Sequence, residues 1–109
     1  MKTAAAMMMI ALAGTAQAQD PAEIGRSITL QCAYADGASQ ICLSRQEASA
    51  VRFRCTEFER VFRFVDPSEY GNMVKLAQES IKRNGGDCAR VKEHAEKVSL
   101  FAMSKVMGY

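Results

Sequence analysis

Apolar residues recur at intervals of three and four along most of the chain, which is the spacing of one buried face of an α-helix. The first helix is expected to begin at Asp20-Pro21, where an aspartate N-cap precedes a proline at the first helical position. Asp36-Gly37 is a turn signal, which predicts that this helix ends there and leaves residues 38–43 as a short linker. The apolar stripe of the helix is Ile24, Ile28, Cys32 and Ala35.

A longer second helix is predicted after Ser44, because Ser44 and Glu47 have the spacing of a capping box. The alternation of apolar and polar side chains over residues 51–55 would also suit a β-hairpin. The helix is favoured, because residues 56–59 contain no Gly, Asn or Pro for the turn of a hairpin. The inward stripe of this helix is Ala48, Val51, Cys55, Phe58, Phe62 and Val65.

Two further helices are separated by Asn84-Gly85-Gly86, a run that ends a helix. The third begins at Asp66-Pro67, which repeats the start of the first, and the fourth is capped by Asp87 and ends at Gly108. Their apolar stripes are Tyr70, Met73, Val74, Ala77 and Ile81 in the third, and Cys88, Val91, Ala95, Val98 and Ala102 in the fourth. Amphipathic helices joined by short loops predict an all-α fold, a small bundle of three to four helices.

Residues 1–18 have the pattern of a cleaved export signal. Lys2 is followed by an apolar run over residues 4–13 and by Ala16-Gln17-Ala18, which suits signal peptidase. The run is too short to remain in a bilayer as a stable membrane anchor. We therefore expect residues 19–109 to form a single helical domain that is periplasmic or secreted.

The four cysteines all lie in the expected mature domain. An even number in a short exported chain indicates two disulfides, and the spacings are too wide for a zinc site, so neither a metal nor a cofactor is expected. A third helix antiparallel to the second would bring Cys88 beside Cys42 and leave Cys32 facing Cys55. The predicted pairs are therefore Cys32–Cys55 and Cys42–Cys88, with the two other connectivities left open.

Charge and motifs favour neither nucleic-acid binding nor catalysis. Removing Lys2 from the 14 basic residues leaves 13 against 12 acidic ones, which is too small an excess to bind nucleic acid electrostatically. The chain contains no nucleophile elbow, phosphate loop or HExxH motif. Its one histidine, His94, is interpreted as a boundary or surface residue, and helix starts account for most carboxylates. We expect no catalytic residue and no enzymatic activity.

Arginines and aromatic residues are concentrated on the second helix, outside its inward stripe. One interpretation is a solvated outer face. The other is a surface that binds another protein, because arginine and aromatic residues are enriched at protein interfaces. Tyr109 is a further aromatic residue outside the stripes. The candidate partner-binding residues are Arg52, Phe53, Arg54, Arg60, Arg63 and Phe64.

Gln40-Ile41-Cys42-Leu43-Ser44, followed by Cys55 and the aromatic run from Phe58 to Phe64, resembles the cysteine-bearing core of TrbM/KikA-type conjugal transfer proteins. Those are small exported proteins that are encoded with plasmid type IV secretion machinery. The resemblance implies an accessory periplasmic role in DNA transfer or pilus assembly, with no catalytic residue to carry over.

The expected function is that of a non-enzymatic exported protein that binds another protein, as an accessory component of a conjugation or type IV secretion apparatus. The alternative is a small inhibitor or immunity-type protein that binds a secreted enzyme. A carrier of a small molecule or metal has weaker support, because the expected core is small and liganding residues are few.

Overall fold

The computed structural model describes residues 20–108. Within that range the chain forms four helices, which are α1 (Pro21–Cys42), α2 (Arg45–Phe62), α3 (Pro67–Asn84) and α4 (Cys88–Met107). No strand occurs among these residues, so the all-α prediction is confirmed and the hairpin alternative is wrong. The predicted signal peptide, residues 1–18, and Tyr109 lie outside the described part of the chain.

Local sequence signals determine where the helices start. Asp20 and Asp87 accept hydrogen bonds from backbone N–H groups of the first turns of α1 and α4. Ser44 and Glu47 form the predicted reciprocal capping box at the start of α2. α3 ends as expected at Gly85, which has the left-handed backbone (φ 64°) that glycine adopts without strain.

The predicted end of α1 is wrong, because the helix continues through Asp36-Gly37 to Cys42. Gly37 faces the backbone of α3, and a Cβ at this position would overlap the carbonyl oxygen of Val74. Asp36 is buried and hydrogen-bonded rather than exposed in a turn. The two residues that suggested a turn therefore serve helix packing, and residues 38–43 are not a linker.

α2 is shorter than its apolar stripe predicted. It ends at Phe62, and Arg63 takes a left-handed conformation (φ 51°) in which its N–H donates to the carbonyl of Glu59. Val65 is still buried, but it reaches the core from the loop between α2 and α3. The stripe thus identified a core residue correctly and placed it in the wrong element.

α1 lies at the centre of the bundle and packs against each of the other three helices. The end of α1 is joined to the start of α4 by the Cys42–Cys88 disulfide, and the middle of α1 is joined to α2 by the buried Cys32–Cys55 disulfide. Both predicted pairings are confirmed. α4 also packs along α2, whereas α3 makes its helix contacts with α1 alone among the described helices.

Candidate functional site

One side of α1 is left open by this arrangement. α2 covers the side of α1 that carries Cys32 and Asp36, and α3 and α4 flank α1 without contacting each other. The surface between α3 and α4 is here named the α1 groove. It is lined by Glu23, Ser27, Leu30, Gln31 and Tyr34 of α1, Met73 of α3, and Arg90, His94, Lys97 and Phe101 of α4.

The groove is continuous along α1. It consists of three cavities of about 460, 600 and 600 Å³. Tyr34 and His94 line both the first and the second cavity, and Ser27 and Gln31 line both the second and the third. At a rise of 1.5 Å per residue, the floor from Glu23 to Ala38 is about 22 Å long.

Apolar side chains make up much of the lining. Leu30, Met73 and Val98 are partly buried against the core and present their remaining surface to the groove. Ile24 and Phe101, which line the third cavity, are 44% and 49% exposed. Exposed apolar side chains that are grouped in one concave surface are typical of binding sites.

The charged residues are distributed unevenly across the groove. Arg26, beside the α3 wall, forms an ion pair with Glu69 of α3, and their hydrogen bonds raise the pKa of Arg26 and lower that of Glu69. On the α4 wall, Lys97 makes no ion pair within residues 20–108, and the Lys105 ammonium lies 5.1 Å from the centre of the Phe101 ring. The α4 wall is therefore the more basic side.

Three of the arginines predicted to bind a partner make contacts within the bundle. The Arg52 Nε donates to the Asp36 carboxylate at 3.3 Å, and Arg54 donates to the hydroxyl of Ser99 on α4 at 3.1 Å. Arg60 forms an ion pair along α2 with Glu57 at 2.7 Å, and its hydrogen bond lowers the pKa of the Glu57 carboxylate.

The structure does not bring the six predicted partner-binding residues onto one surface. Phe53 is 57% exposed and Arg63 is exposed at the end of α2. Phe64, which the apolar pattern placed outside the core, packs against the core and lies over Gly25 of α1. Its assignment to an outward face is wrong, because the chain turns at Arg63 and directs the following residues back towards α1.

A buried polar cluster joins α1, α2 and α3 behind the groove. Asp36 is 1% exposed and accepts hydrogen bonds from the Tyr70 hydroxyl at 3.0 Å and from the Gln40 amide at 2.9 Å, besides its bond with Arg52. Burial, and then the negative charge of Asp36, raise the pKa of Tyr70 above its usual range. Each polar group of this cluster is satisfied, so we assign the cluster to structure rather than to chemistry.

Neither a metal site nor a membrane span is found in the described part of the chain. Residues 20–108 contain no group of three or more His, Cys, Asp or Glu that could hold a metal ion. None of the helices in this range combines the length and the apolar character needed to cross a bilayer.

The sequence contains one signal for the groove, on α4. Arg90, His94, Lys97 and Phe101 follow each other at intervals of four, three and four, which places them in one row beside the buried stripe of α4. Periodicity predicts such a row as an exposed edge. Whether that edge faces solvent or bounds a groove depends on the position of α3, which local sequence does not specify.

Comparison of the chain with protein families, with curated proteins and with solved structures finds no match in any of the three. The geometry of the α1 groove, together with the disulfides, is therefore the basis for a functional proposal.

Proposed function

We propose that this protein is exported, has no enzymatic activity, and binds another protein through the α1 groove. The observation that carries the proposal is the continuous groove of about 22 Å, whose lining contains half-exposed Ile24 and Phe101. Protein interfaces have an apolar core with a polar rim, and aromatic residues contribute strongly to the binding energy. The groove offers both features on one face.

The two disulfides support the exported location. All four cysteines are paired, and such bonds persist in oxidising compartments and are rare in the cytosol. The disulfides are compatible with an extracytoplasmic protein. We propose the periplasm or the external medium as its location, with residues 1–18 as the export signal.

The conjugal-transfer resemblance supports a more specific role as an accessory component of a conjugation or type IV secretion apparatus. The first of the residues that carry it, residues 40–44, lie at the junction of α1 and α2, where Cys42 forms a disulfide, Leu43 packs on the core and Ser44 caps α2. The partner itself is proposed to contact the groove.

Site-specific photocrosslinking tests the proposal in cells that export the protein. A photoreactive phenylalanine analogue is placed at position 101, in the groove, and in a matched variant at position 53, on the outer face of α2. The two original side chains are similarly exposed phenylalanines in helices. We expect a discrete adduct with one protein from position 101 and none from position 53.

The identity of the adduct decides the more specific role. A component of the transfer or secretion machinery supports the accessory role, whereas a secreted enzyme indicates the inhibitor alternative. An adduct from position 53 alone would refute the groove and favour the α2 surface. The absence of an adduct from both positions would refute partner binding.

A further inference from the structure

We infer that the α1 groove binds an amphipathic α-helix of a partner protein whose apolar face is bordered by carboxylates on the side that meets α4. This inference rests on the proposed function and specifies the chemistry of the partner. It follows from the shape of the groove and from the distribution of charge between its two walls.

The shape of the groove fits a helix. α1 has α2 behind it and α3 and α4 at its flanks, and these two flanking helices do not contact each other. A partner helix laid between them would become the fourth neighbour of α1 and would pack against it as helices pack in a bundle. The length of about 22 Å corresponds to a partner helix of about 15 residues.

The lining of the groove suits the apolar face of such a helix. Leu30 of the floor and Met73 of the α3 wall face the same cavity, and Phe101 lies at the α4 edge of the next. An amphipathic helix presents apolar residues at intervals of three and four, which match an elongated strip of this kind. A helix satisfies its backbone N–H and C=O groups internally, whereas an extended peptide would find no strand edge to pair with among the described helices.

The charges favour carboxylates at one edge of the partner. Lys97 and Lys105 lie eight residues apart on α4, at either side of Phe101, and neither forms an ion pair within residues 20–108. Arg90, two turns before Lys97, forms an ion pair with Asp87 at 3.9 Å, so two unpaired cations stand against one carboxylate on this wall, Glu93. The other carboxylate that lines the groove, Glu23, lies on the α1 floor.

The opposite wall gives no such preference. Arg26 and Glu69 neutralise each other there, and Arg26 is not free to attract a partner carboxylate. The charges of the two walls are therefore complementary to a partner helix that has acidic residues along the edge facing α4. The edge facing α3 requires no charged residue.

Designed peptides test the inference directly. The probe is a helical peptide of about 18 residues in which leucines form a stripe at intervals of three and four and glutamates border one side of it. The matched control has lysine at each glutamate position and is otherwise identical. Binding of both peptides to the oxidised mature protein is measured by fluorescence anisotropy at low and at physiological salt.

We expect the glutamate peptide to bind about tenfold more tightly than the lysine peptide at low salt, as two exposed charge pairs allow, with a smaller ratio at higher salt. In the double variant Lys97→Glu/Lys105→Glu the preference should reverse. Phe101→Ala should weaken the binding of both peptides, and its melting temperature should stay near that of the wild type because the ring is half exposed.

The outcomes separate this inference from the proposed function. Equal affinity for the two peptides, or no binding of either, overturns the acidic helix, while a crosslink from position 101 would leave partner binding in place. If sedimentation equilibrium shows a dimer that Phe101→Ala dissociates, a second copy occupies the groove and the inference is wrong.

Discussion

Replacement of Gly37 by alanine tests the central contact of the bundle, the close approach of α1 and α3. In an isolated helix the change would be favourable by about 1 kcal/mol, because alanine is the better helix former. In this structure the added methyl group would overlap the carbonyl oxygen of Val74 and lie 3.1 Å from the Cβ of Ala77. Carbon atoms in good contact are about 3.5–4.0 Å apart, so α3 has to move away from α1.

The expected net effect is a loss of stability. Overpacking of a closely packed contact costs about 1–3 kcal/mol, and this exceeds the helix-propensity gain when the obstructing atom belongs to the backbone. α3 makes its helix contacts with α1 only, within the described range, so no other interface holds it in place while it adjusts. We expect Gly37→Ala to lower the free energy of unfolding by about 1–2 kcal/mol and the melting temperature by about 5–15 °C.

Gly71→Ala is the matched control, because Gly71 is also a helix residue and a Cβ there would meet no atom within 4 Å. That variant should be more stable than the wild type by about 0.5–1 kcal/mol. Urea unfolding of the oxidised proteins, followed by circular dichroism at 222 nm, measures both changes. A Gly37→Ala protein as stable as the wild type, or more stable, would refute the close contact between α1 and α3.

Three further predictions concern the polar contacts of the bundle. Tyr70→Phe removes a hydrogen bond to the Asp36 carboxylate and should lower the free energy of unfolding by about 1.5–3 kcal/mol at pH 7. The pKa of Tyr70 is raised from its ordinary value of 10.0, so the contribution of the protonated hydroxyl to folding stability is complete below pH 10.0 and declines above it. The difference in free energy of unfolding between Tyr70→Phe and the wild type, measured by urea unfolding, should therefore shrink at alkaline pH. Ser44→Ala breaks the capping box of α2 and should cost about 1 kcal/mol, measured as a lower melting temperature; an unchanged value would contradict the cap. The hydrogen bond from Lys92 lowers the pKa of Glu47 below its ordinary 4.5. The ionised Glu47 carboxylate therefore stabilises the fold above pH 4.5, and this stabilisation is lost as the pH falls. The free energy of unfolding of Glu47→Gln should accordingly fall less than that of the wild type between pH 6 and pH 3.

Helix starts were predictable because their determinants are close together in the chain. Asp20, Ser44 and Asp87 each bond backbone groups two or three residues further on, so a short stretch of sequence contains both donor and acceptor. The disulfide pairing was also predictable, since up-and-down helices with short loops bring Cys42 and Cys88 to one end of the bundle. These features follow from local hydrogen bonding and chain connectivity.

The errors occurred where a distant residue decides the outcome. Asp36-Gly37 has the composition of a turn. In the folded protein Tyr70 of α3 donates a hydrogen bond to the buried Asp36, and Val74 of α3 lies so close to Gly37 that there is no room for a side chain. Phe64 was placed outside because helical periodicity was continued past Arg63, where the backbone is in fact left-handed. Periodicity describes a face of a helix and contains no information on which neighbour covers that face.

For this protein, the sequence alone determined the all-α class, the helix starts and the number of disulfides, and it favoured the observed pairing, because each depends on neighbouring residues or on simple up-and-down connectivity. Only the tertiary structure decided that α1 runs unbroken through Gly37 and that its fourth side stays open. The α1 groove requires α3 and α4 to flank α1 without touching each other. That arrangement comes from long-range packing, in which the Gly37–Val74 contact and the Asp36 hydrogen bonds position α3.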